Sequence, residues 1–164
     1  MTRPVRRSAR VLLLDGAGRL LLFRMAEEPG APALWMTPGG GVRPREELHA
    51  AAVRELYEET GLRVAEDTVL PHVAWTGGHA QLPWASGWFE DHFFLCSLPP
   101  ATAHAVDTSR MEARERRNTL GHRWWPVAEL DGTADRVIPF GLTGLLHELR
   151  GRIPDGPVRL PWHH

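Results

Sequence analysis

Lysine is absent from this chain: all 19 basic residues among its 164 are arginines. That excludes a Schiff-base lysine, a pyridoxal-phosphate anchor, a Walker-type phosphate-loop lysine and an ammonium general base. Any anion must be met by arginine, backbone amides, histidine or a metal ion. Cysteine is nearly absent too. Cys96 alone cannot form an intrachain disulfide or a cysteine-rich zinc site, so a reducing, cytoplasmic setting is the expectation. Long apolar runs are also missing. After the basic stretch 1–10, the run Val11–Leu14 stops at Asp15-Gly16, too short for the apolar part of a signal peptide, and nothing approaches the roughly 18 apolar residues of a membrane span. A net charge of -1 lacks the basic excess of a general nucleic-acid binder, yet leaves room for a nucleotide as a small ligand.

What is present suits one domain, 1–164, with a core of about 8–152: 43% of residues are hydrophobic and 24% charged. Val11–Leu14 and Leu20–Phe23, joined by Asp15-Gly16-Ala17-Gly18, read as a β-hairpin buried on both faces. A loop over 29–32 and a short strand Leu34–Met36 lead into Pro38-Gly39-Gly40-Gly41, where no regular element is expected. Glu46–Thr60 lacks glycine and proline, is rich in Ala, Leu and Glu, and is followed by Gly61, which predicts a helix with a glycine stop. Val69–Trp75 and Trp88–Leu98 read as strands around a loop, Thr76–Gly87. A charged connection over 99–118, a strand His122–Val127 and an amphipathic helix Phe140–Arg150 complete the order β-β-β-α-β-β-β-α. This is an α/β (α+β) pattern, a mixed β-sheet between helices. His163 and His164 read as an unstructured tail.

The helix carries Glu55, Glu58 and Glu59 at i, i+3 and i+4, so three carboxylates fall within an arc of roughly 100°. Like charges so placed cost a helix about 0.2–0.5 kcal/mol per pair, and a divalent cation would offset that cost. Oxygen-only ligands favour Mg²⁺ or Mn²⁺ over zinc. Arg54, four residues before Glu58, can hold a carboxylate in place. The glycines at 39–41 let backbone approach a ligand closely. The combination suits a diphosphate bound through a metal ion.

Gly40, five residues, Glu46, seven residues, then Arg54-Glu55-Leu56-Tyr57-Glu58-Glu59-Thr60-Gly61-Leu62 matches without departure the Nudix box, G-x5-E-x7-R-E-U-x-E-E-x-G-U, where U is aliphatic. At about 5–7% usage per residue type, the seven fixed positions would match by chance on the order of once in 10⁸ windows. The sequence therefore resembles the Nudix hydrolase family. The resemblance implies the Nudix fold and Mg²⁺-dependent hydrolysis of a nucleoside diphosphate linked to another moiety, with water attacking phosphorus. It implies Glu58 and Glu59 as principal metal ligands, Glu55 as a further ligand or water-orienting group, and the Gly40 carbonyl completing the shell. Arg54 would orient Glu58, and Glu46 would support the loop and helix start. Members differ in whether the general base is a box glutamate or a late-loop acid. Many pair as homodimers.

Glu112 and Glu115 compete for the late-loop role and are not separable by sequence, with Glu90 or Asp91 behind them. Arg24, Gly39 and Trp35 are the candidates for substrate contact, Arg43 and Arg45 after the glycines could also bind phosphate oxygens, and Trp35, Trp84 and Trp88 are the candidates for base stacking. His79 and His92 read as ordinary histidines and Cys96 as a core thiol. A nucleotide-sensing module without turnover is the alternative function, although the box is undegraded. An isomerase on this fold would need a cysteine placed for proton transfer, for which Cys96 in an apolar strand is unsuited. Subfamily marks are missing: Gly77 and Gly78 stand where ADP-ribose enzymes carry proline, His79 and Ala80 where diadenosine polyphosphate enzymes carry tyrosine. Gln81-Leu82-Pro83-Trp84 only faintly resembles the array of the NADH-hydrolysing enzymes.

Overall fold

A computed structural model describes residues 6–26 and 30–164. Pro29 of the expected loop over 29–32 lies outside the described residues. The central strand β1 (Arg6–Leu14) runs parallel to β6 (Ala85–Ser97) along its whole length. Its other edge is divided. The Leu14 end meets β2 (Leu20–Met25) at Leu14↔Leu20, as the hairpin predicts, while the Ser8–Arg10 end pairs instead with β4 (Gly39–Gly41). Thus β2 leaves β1 and continues outward beside β3 (Leu34–Met36) and β7 (Thr119–Trp125). A wedge opens between the two arms of the sheet. The glycine run, expected to be irregular, is the strand that lines this wedge, because residues without side chains can lie close against β1.

Alternation along β1 and β2 builds two cores. Val11, Leu13, Leu21 and Phe23 face α1 (Leu48–Thr60) with Ala51, Ala52, Leu56 and Cys96, whose thiol is buried as expected. Leu12, Leu20 and Leu22 face the opposite way, with Leu130 of α3 (Val127–Gly132) and Leu142, Leu145 and Leu146 of α4 (Leu142–Gly151). The chain is a mixed sheet with helices on both faces.

Three further expectations need correction. First, the helix starts at Leu48 rather than Glu46, because the Glu46 carboxylate is taken up by the Arg43 N–H and by Arg54. Its stop is as expected: Gly61 is left-handed (φ 74°) and donates its N–H to the Tyr57 carbonyl. Second, Thr76–Gly87 is no loop. β5 (His72–Leu82) and β6 form one long hairpin turning at Pro83-Trp84, and Val69, 79% exposed, lies before it. Gly78 within β5 marks no turn there but close packing, since a Cβ on it would lie 2.3 Å from Trp162 Cδ1. Third, His163 is 4% exposed and docked. The C-terminal segment adds β9 (Val158–Arg159) to β5, and Thr76 donates its hydroxyl to the Leu160 and Pro161 carbonyls. The described residues also include α2 (Ala113–Asn118), in the charged connection, and β8 (Arg136–Ile138) beside β3. None of the helices among the described residues is long and apolar enough to cross a membrane.

Candidate active site

The buried face of α1 carries Ala52, Glu55, Leu56 and Glu59. At about 100° per turn step, Glu55, Leu56 and Glu59 share one stripe while Glu58 falls roughly 60° beyond Glu55 on the far side. That divides the box glutamates. Glu55, Glu59 and Glu115 of α2 converge, each offering a carboxylate oxygen within 4.8 Å of the others. Glu58 stands outside this trio, paired with Arg54 (3.2 Å) and Arg43 (3.4 Å).

Glycine makes the convergence feasible. A Cβ on Gly40 would lie 2.7 Å from Glu55 Oε1, and one on Gly39 (φ 146°) only 2.4 Å from the Ala9 carbonyl oxygen. The freed space lets the Gly39 N–H donate to Glu59 Oε2 at 2.8 Å. Arg54 clamps the rest. Its guanidinium donates to both Glu46 oxygens (2.8 Å each), to Glu55 Oε1 (2.7 Å), to Glu58 Oε2 and to the Gly41 carbonyl, so one side chain ties helix to loop. Those bonds hold the Glu46 carboxyl down to about 2 and raise Arg54. Burial acts the other way on the trio. It raises the pKa of Glu55 against the pull of Arg54, raises that of Glu115, and drives that of Glu59 well above the ordinary carboxylate range. Glu55 Oε2 is buried with no hydrogen-bond partner. Three carboxylates held together, one of them with an unpaired buried oxygen, fit a hard divalent cation.

The trio lies at the wedge, beside a cavity of about 250 Å³ lined by Phe23, Met25, Gly39, Gly40, Glu59 and Glu115 among others. A second cavity, about 330 Å³, shares Arg6, Arg10, Met36, Arg114 and Asn118 with the first and ends at Trp84, Phe89 and Trp162. Together they make one groove, acidic at one end and aromatic at the other.

Several sequence candidates are thereby placed. Glu115 is in the trio. Glu112 lines the first cavity but serves as N-cap of α2, its N–H 3.4 Å from Glu115 Oε2. Arg24 and Trp35 are not brought to the groove: they sit opposite one another in the β2–β3 register, on the face away from Phe23, Met25 and Met36. Trp35 instead donates to Asp135 and meets Trp125 edge-on. Glu90 lines neither cavity and bonds Trp88 and His92, so Trp88 is engaged there as well. Asp91, on the other face of β6, does line the second cavity. Arg6, Arg10, Arg114, Trp162 and His163 were missed. For Arg10 the alternation of β1 was a signal, since an arginine in line with buried Leu12 needs an internal partner; Trp162 and His163 had none beyond their aromaticity.

The family model described as the NUDIX domain matches residues 4–140. The chain belongs to the Nudix family. Among curated relatives, a Rhizobium meliloti protein named RNA pyrophosphohydrolase is 31% identical over 140 residues, covering 76% of this chain and 75% of the relative. A protein of the same name from Novosphingobium aromaticivorans is 39% identical, but the match spans 41% of each chain. Solved Nudix structures agree in fold. The MutT protein of Bacillus halodurans superposes with a TM-score of 0.64 at 14% identity, covering 98% of this chain and 90% of that one. The NUDIX domain of Shewanella oneidensis NrtR, solved with ADP ribose, gives 0.62 at 18% identity over 94% and 91%.

Proposed function

We propose that this Nudix protein is a Mg²⁺-dependent pyrophosphohydrolase that cleaves a nucleoside diphosphate linked to another moiety. The observation that carries the reading is the convergence of buried Glu55 and Glu59 with half-buried Glu115, Glu55 keeping an oxygen unpaired. Those three residues would hold the metal ion, together with the Gly40 carbonyl that the family resemblance implies. A bound Mg²⁺ neutralises phosphoryl oxygens and makes a coordinated water more acidic.

The chain's own groups supply the rest. Gly39 and Arg54 fix Glu59 and Glu55, so the ligand set is organised before substrate arrives. Glu58, at the rim and outside the trio, is the box carboxylate left to accept a proton from the attacking water, and Arg54 and Arg43 hold it in place. With lysine absent, Arg6, Arg10 and Arg114 along the groove take the phosphates. Small nucleotides suit a chain of net charge -1.

The names of the sequence relatives favour a second reading, in which the nucleotide is the triphosphorylated 5′ end of an RNA. One experiment separates the readings. Nucleoside triphosphates, nucleotide sugars, dinucleotides and a short 5′-triphosphorylated RNA are incubated with the protein in EDTA, then with Mg²⁺ or Mn²⁺, and released phosphate products are measured. Turnover of a small nucleotide that vanishes in EDTA and returns with either ion supports the proposal; turnover of the RNA alone supports the second reading. Binding without turnover of any compound overturns both in favour of a sensing module.

A further inference from the structure

The aromatic cavity is closed by the C-terminal segment. Five contacts fix that segment in register: Leu160 N–H to the Trp75 carbonyl (2.8 Å), the Thr76 hydroxyl to the Leu160 and Pro161 carbonyls, Trp162 Nε1 to the His79 carbonyl (3.0 Å), and Arg136 to the His163 carbonyl (2.9 Å). The strand beneath is cut to receive it. A Cβ on Gly78 would lie 2.3 Å from Trp162 Cδ1, so the indole rests directly on the β5 backbone and any larger residue would displace it. His163 anchors the next turn of chain, its ring 3.5 Å from Asp91, which lies 3.7 Å from Arg10. Arg10 in turn donates to the Thr37 carbonyl. Asp91 is thus enclosed between the Arg10 guanidinium and the His163 ring, with the arginine to offset its charge.

What remains open toward the cavity is aromatic surface with cations at its entrance. Trp84, at the β5–β6 turn, is 47% exposed, meets Phe89 edge-on at 5.7 Å and has the Arg6 guanidinium 5.3 Å from its ring. Among the described residues Arg6 and Arg114 make no ion pair, and both line the passage to the carboxylate end. One exposed indole, Trp84, a half-buried one, Trp162, with the His163 and His164 rings beside it, two arginines and a route to a metal-binding trio describe complementarity to a molecule with a flat ring at one end and phosphates at the other. We infer that the C-terminal segment completes the substrate site: Trp162, with Trp84, stacks the base of the nucleotide while Arg6 and Arg114 pass its phosphates toward Glu55, Glu59 and Glu115. The inference rests on the proposed function for its substrate class and makes Trp162 a specificity-determining residue.

The test uses two ligands that carry the same non-hydrolysable bridge, α,β-methylene-ADP and methylenediphosphonate, titrated calorimetrically in Mg²⁺ into the full chain and into Trp162→Ala, Trp162→Phe and Trp84→Ala. Loss of one stacking ring weakens the nucleotide about 5- to 100-fold in each alanine variant, with partial recovery in the phenylalanine variant. Methylenediphosphonate, lacking a base, binds all four proteins alike. Trp84→Ala, at an exposed turn, keeps the test intact if Trp162→Ala loosens the C-terminal segment. Undiminished nucleotide binding in both alanine variants, or equal weakening of the two ligands, overturns the inference. Because neither ligand is cleaved, these outcomes stand apart from turnover: a protein that stacks the base yet hydrolyses nothing refutes the proposed function and leaves this inference standing.

Discussion

At the acidic end of the groove Gly39, Gly40, Glu55 and Glu59 come from one short stretch of chain, whereas Arg6, Trp84, Phe89, Asp91 and Trp162 at the aromatic end come from both termini and a hairpin between them. The first end buries carboxylates against their preference and depends on fixed distances to Gly39 and Arg54. The second buries apolar rings, leaves cations at the surface and tolerates variation in detail. Most of the charge that must sit at a fixed place is encoded locally, where helix periodicity sets the spacing of Glu55 and Glu59, with Glu115 joining them from α2. Selection of a ligand is assembled from distant segments that the fold brings together. Damage at the acidic end should therefore abolish turnover, and damage at the aromatic end should alter which ligand is held.

The largest effect is expected for Glu59→Gln, which keeps shape and removes a buried carboxylate charge of the trio. Turnover should fall by several orders of magnitude while the melting temperature holds or rises, since the charge that burial opposes is gone. Glu58→Gln should also lower kcat strongly, with little change in metal affinity because Glu58 lies outside the trio. Near-normal kcat in either variant would break the comparison.

Next comes Arg54→Ala, which leaves Glu46 and Glu55 uncompensated and cuts the tie between loop and helix. A loss of about 3–5 kcal/mol in urea unfolding is expected, and Arg54→Lys should recover only part of it because an ammonium cannot reproduce the forked contacts. A loss below about 1 kcal/mol would class it with ordinary surface pairs.

The two ends should also respond to acid in different windows. Burial holds His163 down to about 4, so the unfolded chain takes up a proton below its ordinary value of 6.5 before the folded chain does. The stability due to its neutral form is complete above pH 6.5 and lost as pH falls through 4, amounting to at most about 3 kcal/mol. Glu46, held to about 2 by Arg54, contributes stability that is complete above 4.5 and lost on falling toward 2. Urea unfolding of wild type and His163→Gln from pH 7.5 to 3 reads this directly: the variant should lack the loss between 6.5 and 4, and parallel curves would contradict the docking of the C-terminal segment.

The smallest effect separates two residues that the sequence could not. Glu112→Ala removes a helix-capping residue, worth about 1 kcal/mol in thermal unfolding, with turnover kept; Glu115→Gln should spare stability and weaken the metal.

Much of this was legible in the residue order. The hairpin, the glycine-stopped helix, the fold and the family followed from apolar runs, Gly61 and the box. The box spacing placed all three of its glutamates on one face, but only burial, set by Leu56 packing under β1 and β4, decides that Glu55 and Glu59 turn inward and Glu58 outward. Arg24 and Trp35 failed as site residues because the β2 register, invisible in one sequence, turns them away from the wedge. Trp162 and His163 could not be read because their role depends on the space above Gly78, some 84 residues earlier in the chain.

The central claim is that Glu55, Glu59 and Glu115 form one site for a hard divalent cation. Calorimetric titration of Mn²⁺ into the metal-free protein tests it most directly. One saturable site is predicted, competed by Mg²⁺, lost in Glu59→Gln and weakened at least tenfold in Glu115→Gln. Unchanged Mn²⁺ affinity in both variants, or a site that takes zinc and refuses Mg²⁺, would contradict it.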